Sequence, residues 1–142
     1  MAKEIQILVF RLGTQLWGVN ILDVNEVVKI KLFTLVPRAP KHILGVFNLR
    51  GQIIPLLDIS VILNINSHRS YKEAVIVEYD NEMIGIAVEK VIGVYRIEES
   101  KIRPAPSEIG DHISGIVDLN NKMINLLKLE RIISMVIEDT GF

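Results

Sequence analysis

The sequence contains few side chains whose types and spacing could support catalysis or metal binding. Its three histidines, His42, His68 and His112, lie far apart and lack the short helical spacing at which two imidazoles share a metal ion. Cysteine is absent, which excludes disulfides, thiolate nucleophiles and cysteine-based metal sites. The adjacent carboxylates Glu98 and Glu99 point to different faces of an extended chain, so they do not suit general acid–base work. We therefore expect that the protein is not an enzyme and that it has no metal site and no cofactor.

One charged residue is notable because it interrupts an apolar segment. In NLRGQIIPLLDI, residues 48–59, the pair Arg50–Gly51 is followed at once by Ile53 and Ile54. The planar guanidinium of arginine can pair with a carboxylate within the fold or anchor a partner. A solvated arginine at a turn is the simpler alternative, and the segment alone leaves both open.

Composition indicates a folded protein without an electrostatic reason to bind nucleic acid. The chain has 142 residues, of which 49% are hydrophobic, and its formal net charge is −1. No apolar run approaches the roughly 18 residues that span a bilayer, and the N-terminal segment MAKEIQILVF lacks a signal-peptide pattern. We expect a cytoplasmic protein that does not insert into a membrane.

The elements that position these residues come from an internal repeat. Residues 8–30 align with 75–97, with Gly18 on Gly85 and Val24 on Val91, and residues 45–63 align with 115–133. Each copy reads as about five short strands, with turns at pairs such as Gly13–Thr14. The repeat therefore predicts an all-β protein of two small barrels, which must pack together because a copy of roughly 65 residues has a marginal core.

The predicted boundaries make residues 1–142 a single domain with two subdomains. Subdomain 1 covers about 8–63, a polar connection follows, and subdomain 2 covers about 73–127. Asp58 is a candidate N-cap of a short helix. A C-terminal helix is expected over about 128–138, where Leu129, Ile132, Ile133 and Val136 share one face, and one place for it is against subdomain 1.

Positions that differ between the copies are not required by the shared fold and are free to serve function. Three differences are notable: Trp17 against Ile84, Glu26 against Gly93, and Arg50–Gly51 against Asn120–Asn121. Asparagine pairs are ordinary hairpin-turn residues, so the turn itself does not demand Arg50. The alternatives are a core position for Trp17 and a solvated position for Glu26.

A strip of apolar residues has a spacing that suits neither a regular strand nor a helix. Ile21, Val24 and Val27 fall three apart, and the second copy matches them with residues 88, 91 and 94, all valines. The two strips could bury each other at the junction between the barrels. If part of them stays exposed, they would form a groove suited to an amphipathic helix.

The segment GVFNLRGQIIPLLDI, with FRLGTQLWGVNILDVNEV, VPRAPKHILG and IRPAP, resembles the CheW family of bacterial chemotaxis adaptors. The resemblance implies two packed five-stranded SH3-like β-barrels and a non-catalytic scaffold. It implies two partners, namely the cytoplasmic helical hairpin of methyl-accepting chemoreceptors and the regulatory domain of the histidine kinase CheA. The protein would then be cytoplasmic and recruited to membrane receptor arrays.

The resemblance also implies sites. A receptor-binding groove would be formed by Leu8, Ile21, Val24, Val27 and Val91, and receptor or kinase coupling would involve Glu26, Gly45 and Arg50. The kinase is expected on exposed strand faces of the first barrel, with the second barrel closing rings with the kinase. Two alternatives remain: an adaptor of this family for another output, such as surface motility, or a β-barrel domain that binds a small molecule in a polar cleft between the barrels.

Overall fold

The structure is a computed structural model that describes residues 3–67, 70–106 and 112–140, so His68 lies outside the described residues. The strands are β1 (Glu4–Leu12), β2 (Gln15–Asn20), β3 (Val24–Lys29), β4 (Ile43–Leu49), β5 (Gln52–Leu57), β6 (Glu73–Tyr79), β7 (Glu82–Val88), β8 (Lys90–Glu98), β9 (Ile113–Leu119) and β10 (Lys122–Leu127). Two α-helices, α1 (Ile59–Leu63) and α2 (Leu129–Thr140), follow β5 and β10. Short 3-10 turns, Ile21–Asp23 and Glu99–Lys101, precede β3 and follow β8.

The strands form two five-stranded sheets, which confirms the predicted all-β class with SH3-like barrels. Barrel 1 has the strand order β3-β6-β7-β5-β4, and barrel 2 has the order β8-β1-β2-β10-β9. In barrel 1 the chain after β3 reaches the opposite edge strand, β4, where Thr34 forms a β-bridge with Val46. In barrel 2 the chain after the second 3-10 turn reaches the opposite edge strand, β9, where Arg103 forms a β-bridge with Ile116. These two bridges bring the opposite edges of each sheet together.

The strands of each barrel differ from the predicted ranges 8–63 and 73–127. Barrel 1 takes its β6–β7 hairpin from the second copy, and barrel 2 takes its β1–β2 hairpin from the first. The exchange is fixed by parallel pairing of β2 with β10 and of β5 with β7. The two copies have equivalent hairpins. Similarity between the copies therefore predicts each hairpin, but it does not predict whether the hairpin pairs with strands of its own copy or of the other copy.

Three of the hairpins turn on two residues that both have positive φ, the geometry of a type I′ turn. The turn residues are Asp80–Asn81, Asn120–Asn121 and Arg50–Gly51. Asparagine, aspartate and glycine enter this left-handed region at little cost, whereas arginine does so less readily. The predicted turn at Arg50–Gly51 is therefore present. Its first residue, arginine, is less favourable in this conformation than the aspartate or asparagine that begins the other two turns.

The core has three layers because β1 and β6 are buried on both faces. Ile7 and Val9 fill the interior of barrel 2, and Ala74 and Ile76 fill that of barrel 1. The alternate residues of these strands meet between the barrels in a central cluster, whose members include Leu8, Phe10, Val75 and Val77. Trp17 and its counterpart Ile84 both lie in this cluster, which supports the core alternative for Trp17.

Helix α2 covers the central cluster with one face. Leu129, Ile132, Ile133 and Val136, the four residues predicted to share a face, are all buried in that cluster. The helix begins at Leu129 and ends at Thr140, close to the predicted 128–138. Val136 also borders a surface cleft with Leu57 and Ile84 of barrel 1.

The short helix α1 is capped by a buried carboxylate. Asp58 Oδ1 accepts hydrogen bonds from the backbone N–H of Ser60 at 3.2 Å and from the Tyr71 hydroxyl at 2.6 Å. Asp58 is fully buried, so these donors supply the hydrogen bonds that water cannot give to its side chain. Burial, and then the hydrogen bond to Asp58, raises the pKa of Tyr71 above its usual value of 10.0.

We expect the stability contributed by Tyr71 to be lost at alkaline pH. Because its pKa is raised on folding, that contribution is present below the ordinary tyrosine pKa and is lost as the pH rises through the folded value. At neutral pH, Tyr71→Phe should lower the melting temperature, since Asp58 loses a donor. The difference between wild type and Tyr71→Phe should shrink by about pH 11, in thermal melts at both pH values. An equal difference at both would contradict this origin.

Candidate functional site

The apolar strip on β3 faces the central cluster despite its three-residue spacing. Val24 pairs with Val77 and Val27 pairs with Val75, and the ladder shifts at Asn25 between them. Directly paired residues point to the same face of a sheet, so Val24 and Val27 share the face of Val75 and Val77. A β-bulge at Asn25 adds the extra residue, which explains a period that fits neither a regular strand nor a helix.

Strand β8 repeats this arrangement on barrel 2. Val91 pairs with Phe10 and Val94 pairs with Leu8, with a register shift at Ile92 between them. Ile92 is the repeat counterpart of Asn25, so both copies carry the same bulge. Val91 and Val94 consequently face the central cluster from the other barrel.

These residues form a junction strip, defined as Ile21, Val24, Val27, Val91 and Val94. The first four are partly buried and pack on the central cluster, and Val94 remains 49% exposed. Leu8 is buried, so among the predicted groove residues it belongs to the floor rather than to the accessible surface. The backbone N–H of Val91 donates to Glu73 Oε1 at 2.9 Å, which joins the start of β8 to β6, the neighbour of β3. The strip is thus one place where the apolar layer between the barrels reaches the surface.

Arg50 forms a bidentate ion pair with Glu26. Its Nη1 lies 3.1 Å from Glu26 Oε1 and its Nη2 lies 2.5 Å from Oε2, which joins the β4–β5 turn to β3. The turn is held separately, because Asn48 Oδ1 accepts a hydrogen bond from the backbone N–H of Gly51 at 2.7 Å. The side chains of Arg50 and Glu26 are still 67% and 32% exposed. The guanidinium therefore pairs within the fold and remains accessible to a partner.

The ion pair keeps both groups charged and is specific to the first copy. The hydrogen bond from Arg50 holds the pKa of Glu26 below its usual value, and the same bond raises the pKa of Arg50. The second copy has Gly93 and Asn120 at the matching positions and lacks both members of the pair. Comparison of the copies identified Glu26 and Arg50 separately, and the structure brings them together.

Gly45 lies under the segment that closes barrel 1. Thr34 and Val46 exchange two backbone hydrogen bonds of 2.7 and 2.9 Å across this closure. A Cβ atom at Gly45 would lie 2.4 Å from the carbonyl oxygen of Thr34, closer than real Cβ contacts allow. The counterpart, Gly115, is crowded in the same way by the carbonyl oxygen of Arg103 at 2.9 Å. Gly45 therefore has a folding role, and its part in coupling stays a prediction.

An exposed apolar face on barrel 1 was not identified from the sequence. Ile53, just after the Arg50–Gly51 turn, is 63% exposed and borders a surface cleft of about 580 Å³ with Val46, Pro55 and Met83. Its repeat counterpart on barrel 2, Met123, is 54% exposed. The alternation of side chains along a strand could have indicated this face. Ile54 and its repeat counterpart point inward, so the residues just before them must point outward.

The described parts of the chain contain no cluster of three or more His, Asp or Glu side chains that could hold a metal ion. His42 and His112 occupy equivalent positions, where their carbonyl oxygens accept 2.8 Å hydrogen bonds from the backbone N–H groups of Asp58 and Lys128. In the residues that the structure covers, no helix has the length and apolar character needed to cross a membrane.

Comparison with known proteins gives consistent matches over nearly the whole chain. The family model described as CheW-like domain matches residues 6–136. The chemotaxis protein CheW of Helicobacter pylori is 28% identical over 136 residues, covering 92% of this chain and 82% of the relative. Protein FrzA of Myxococcus xanthus is 30% identical over 131 residues, covering 87% of this chain and 82% of the relative.

A solved structure agrees with the fold as well as with the sequence. The crystal structure of the scaffolding protein TtCheW from Thermoanaerobacter tengcongensis matches with a TM-score of 0.83 and 35% identity, covering 93% of this chain and 89% of that chain. Two bulged barrels around a shared apolar layer, the NLRG turn and these matches agree. The chain belongs to the CheW family, a family of non-catalytic adaptor and scaffold proteins that includes the CheW proteins of chemotaxis.

Proposed function

We propose that this protein couples membrane chemoreceptors to the CheA histidine kinase, with the cytoplasmic helical hairpin of the receptor bound at the junction strip. The observation that carries the proposal is the partial exposure of five apolar side chains, from both barrels, on one face. A helix with an apolar stripe buries such a face without requiring a deep pocket. The apolar character of the strip favours this adaptor over a barrel domain that binds a small molecule in a polar cleft.

The kinase partner is proposed to bind the outer face of barrel 1 around Ile53. An exposed isoleucine beside partly buried Val46 and Pro55 supplies an apolar anchor with a polar surround that includes Asp80 and Glu82. Met123 gives barrel 2 a related feature, which supports a second kinase contact of the kind needed to close a ring. Both faces are distinct from the junction strip, so receptor and kinase could be bound at once.

Regulation through such an adaptor requires different contacts with the different states of the kinase. The Glu26–Arg50 pair is suited to this, because Glu26 adjoins Val27 of the strip and Arg50 lies in the turn of the hairpin that carries Ile53. It thus links the proposed receptor surface to the proposed kinase surface. Binding of both partners would place the protein in the cytoplasm at membrane receptor arrays.

A crossed pair of variants tests the two surfaces. Val94→Glu should lower affinity for the receptor hairpin by at least about tenfold, since a charge would be buried under the helix, and should leave kinase binding unchanged. Ile53→Glu should do the reverse. Both positions are exposed, so the fold should be retained, and each variant is the control for the other. Titration calorimetry with a receptor-tip hairpin and with the regulatory domain of the kinase measures both.

Binding of folded wild-type protein to neither partner would refute the coupling function. If both variants lowered both affinities equally, the assignment of separate surfaces would be wrong. The similarity to FrzA, a family relative that is not named as a chemotaxis protein, favours a second candidate, an adaptor of this family for another output. That candidate predicts binding to a different receptor and kinase pair, with the same two surfaces in use.

A further inference from the structure

A cationic cluster lies at one end of the junction strip. It borders a surface cleft of about 810 Å³ between the barrels and consists of five exposed residues: Arg11, Lys29, Lys31, Lys72 and Lys90. They come from β1, β3, β8 and the segments after β3 and before β6, so folding alone brings them together. The whole chain has a net charge of only −1, and this concentration of positive charge is therefore local.

The two carboxylates at this cleft are engaged elsewhere. Glu73 Oε1 accepts the backbone N–H of Val91 at 2.9 Å. Glu89 is buried and accepts the backbone N–H of Gly13 at 2.5 Å and the Ser67 hydroxyl at 3.3 Å. Among residues 3–67, 70–106 and 112–140, no carboxylate oxygen lies within 4.0 Å of any cation of the cluster. The cluster thus presents positive charge that no ion pair in the described chain satisfies.

The cluster is continuous with the junction strip. Strand β3 runs from Val24 through Val27 to Lys29, and β8 runs in the other sense from Lys90 to Val91 and Val94. Lys90 is also the cross-strand partner of Arg11. The distance from Val24 to Lys29 along a strand is about 17 Å, which equals about three turns of an α-helix. A helix lying along the strip would reach the cluster after about 11 residues of apolar stripe.

We propose that the helical partner of the junction strip carries carboxylates at the end of its apolar stripe, and that the cationic cluster binds them. The inference rests on the coupling function proposed above and defines its partner further. Opposite charges at one end of an otherwise apolar groove fix the direction of the helix and raise its association rate. The cations flank a concave cleft next to the end of the strip on β3 and β8, which suits an acidic helix better than a flat anionic lipid surface.

The test compares two triple variants with equal loss of charge. The cluster variant is Lys29→Gln, Lys72→Gln and Lys90→Gln, and the control is Lys41→Gln, Lys101→Gln and Lys122→Gln, at exposed lysines outside the cleft. The measurement is the association rate of the receptor-tip hairpin by stopped flow, at about 50 and about 500 mM salt, across which the Debye length falls severalfold.

Wild type and control should associate about tenfold faster at low salt than at high salt. The cluster variant should associate about tenfold more slowly than wild type at low salt and show little salt dependence. Replacing the acidic residues of the hairpin by their amides should produce the same loss with wild-type protein.

Two results would overturn the proposal while the coupling function stands. One is a cluster variant with wild-type association and salt dependence toward a hairpin that wild type binds. The other is a cluster variant that loses binding only to vesicles containing anionic phospholipid, which would make the cluster a lipid site. Failure of wild type to bind the hairpin at any salt would overturn the coupling function itself, and this inference with it.

Discussion

Replacing Arg50 with asparagine is expected to abolish receptor control of the kinase while the melting temperature stays the same or rises slightly. Asparagine occupies the matching turn position in the second copy, with φ of 51° at Asn120 against 50° at Arg50, so the turn should form at least as well. The ion pair that is lost is largely exposed, and such pairs contribute little to stability. Kinase autophosphorylation reconstituted with receptor, alongside thermal melts, measures both effects.

A charge-reversed pair separates the two possible roles of Arg50. If the ion pair serves only to hold the turn against β3, Glu26→Arg combined with Arg50→Glu should restore coupling that either single change removes. If the guanidinium also contacts a partner, the double variant should fold and fail to couple. A large fall in melting temperature for Arg50→Asn, with coupling intact, would instead make Arg50 a structural residue.

Replacing Gly45 with alanine is expected to open barrel 1 and destabilise the protein by about 3 kcal/mol or more. The new methyl group would lie 2.4 Å from the carbonyl oxygen of Thr34, so the closing segment must move and lose its two hydrogen bonds with Val46. Backbone atoms at a closure have little freedom to give way. Urea unfolding of the variant measures the loss, and a coupling defect would accompany it through the fold.

Gly51→Ala is the matched control for this change. Gly51 has φ of 87°, and a Cβ there would meet no atom within 4 Å, so its cost is conformational alone, about 1 kcal/mol. Gly115→Ala should also have the larger effect, in barrel 2, because a Cβ there would lie 2.4 Å from Cγ2 of Ile102 and 2.9 Å from the carbonyl oxygen of Arg103. Equal stability of the Gly45 and Gly51 variants would show that the closing segment adapts without loss.

Local structure was predictable from the sequence because turns and caps depend on nearby residues. The turns at Gly13–Thr14 and Arg50–Gly51, the Asp58 cap and the apolar face of α2 all depend on a few neighbouring side chains. The exchange of hairpins between the copies was not predictable in this way. It depends on pairing between strands far apart in sequence, and the two copies offer equivalent partners.

Individual residues of the site were predictable from the sequence, but their contacts with one another were not. Glu26 and Arg50 were each recognisable because the second copy lacks them, but their pairing joins β3 to a turn 24 residues away. Val24 and Val27 had an irregular spacing whose cause, a bulge at Asn25, becomes visible only in the ladder with β6. The cationic cluster was not recognisable, since its members are spread from residue 11 to residue 90.

The exchanged hairpins also determine how the protein can move. Each barrel contains strands from both halves of the chain, so separating the two halves would require the parallel pairs β2–β10 and β5–β7 to break, and the connection after α1 joins β5 to β6 within barrel 1. A hinge at the connection after α1 would therefore not free one barrel from the other. Because both barrels also share the central cluster, the protein should move as one stiff body. A displacement imposed at the proposed receptor surface would then reach the proposed kinase surface as rotation of the whole molecule. Nicking the chain near residue 66 should leave two fragments that stay associated, neither of which holds a complete barrel.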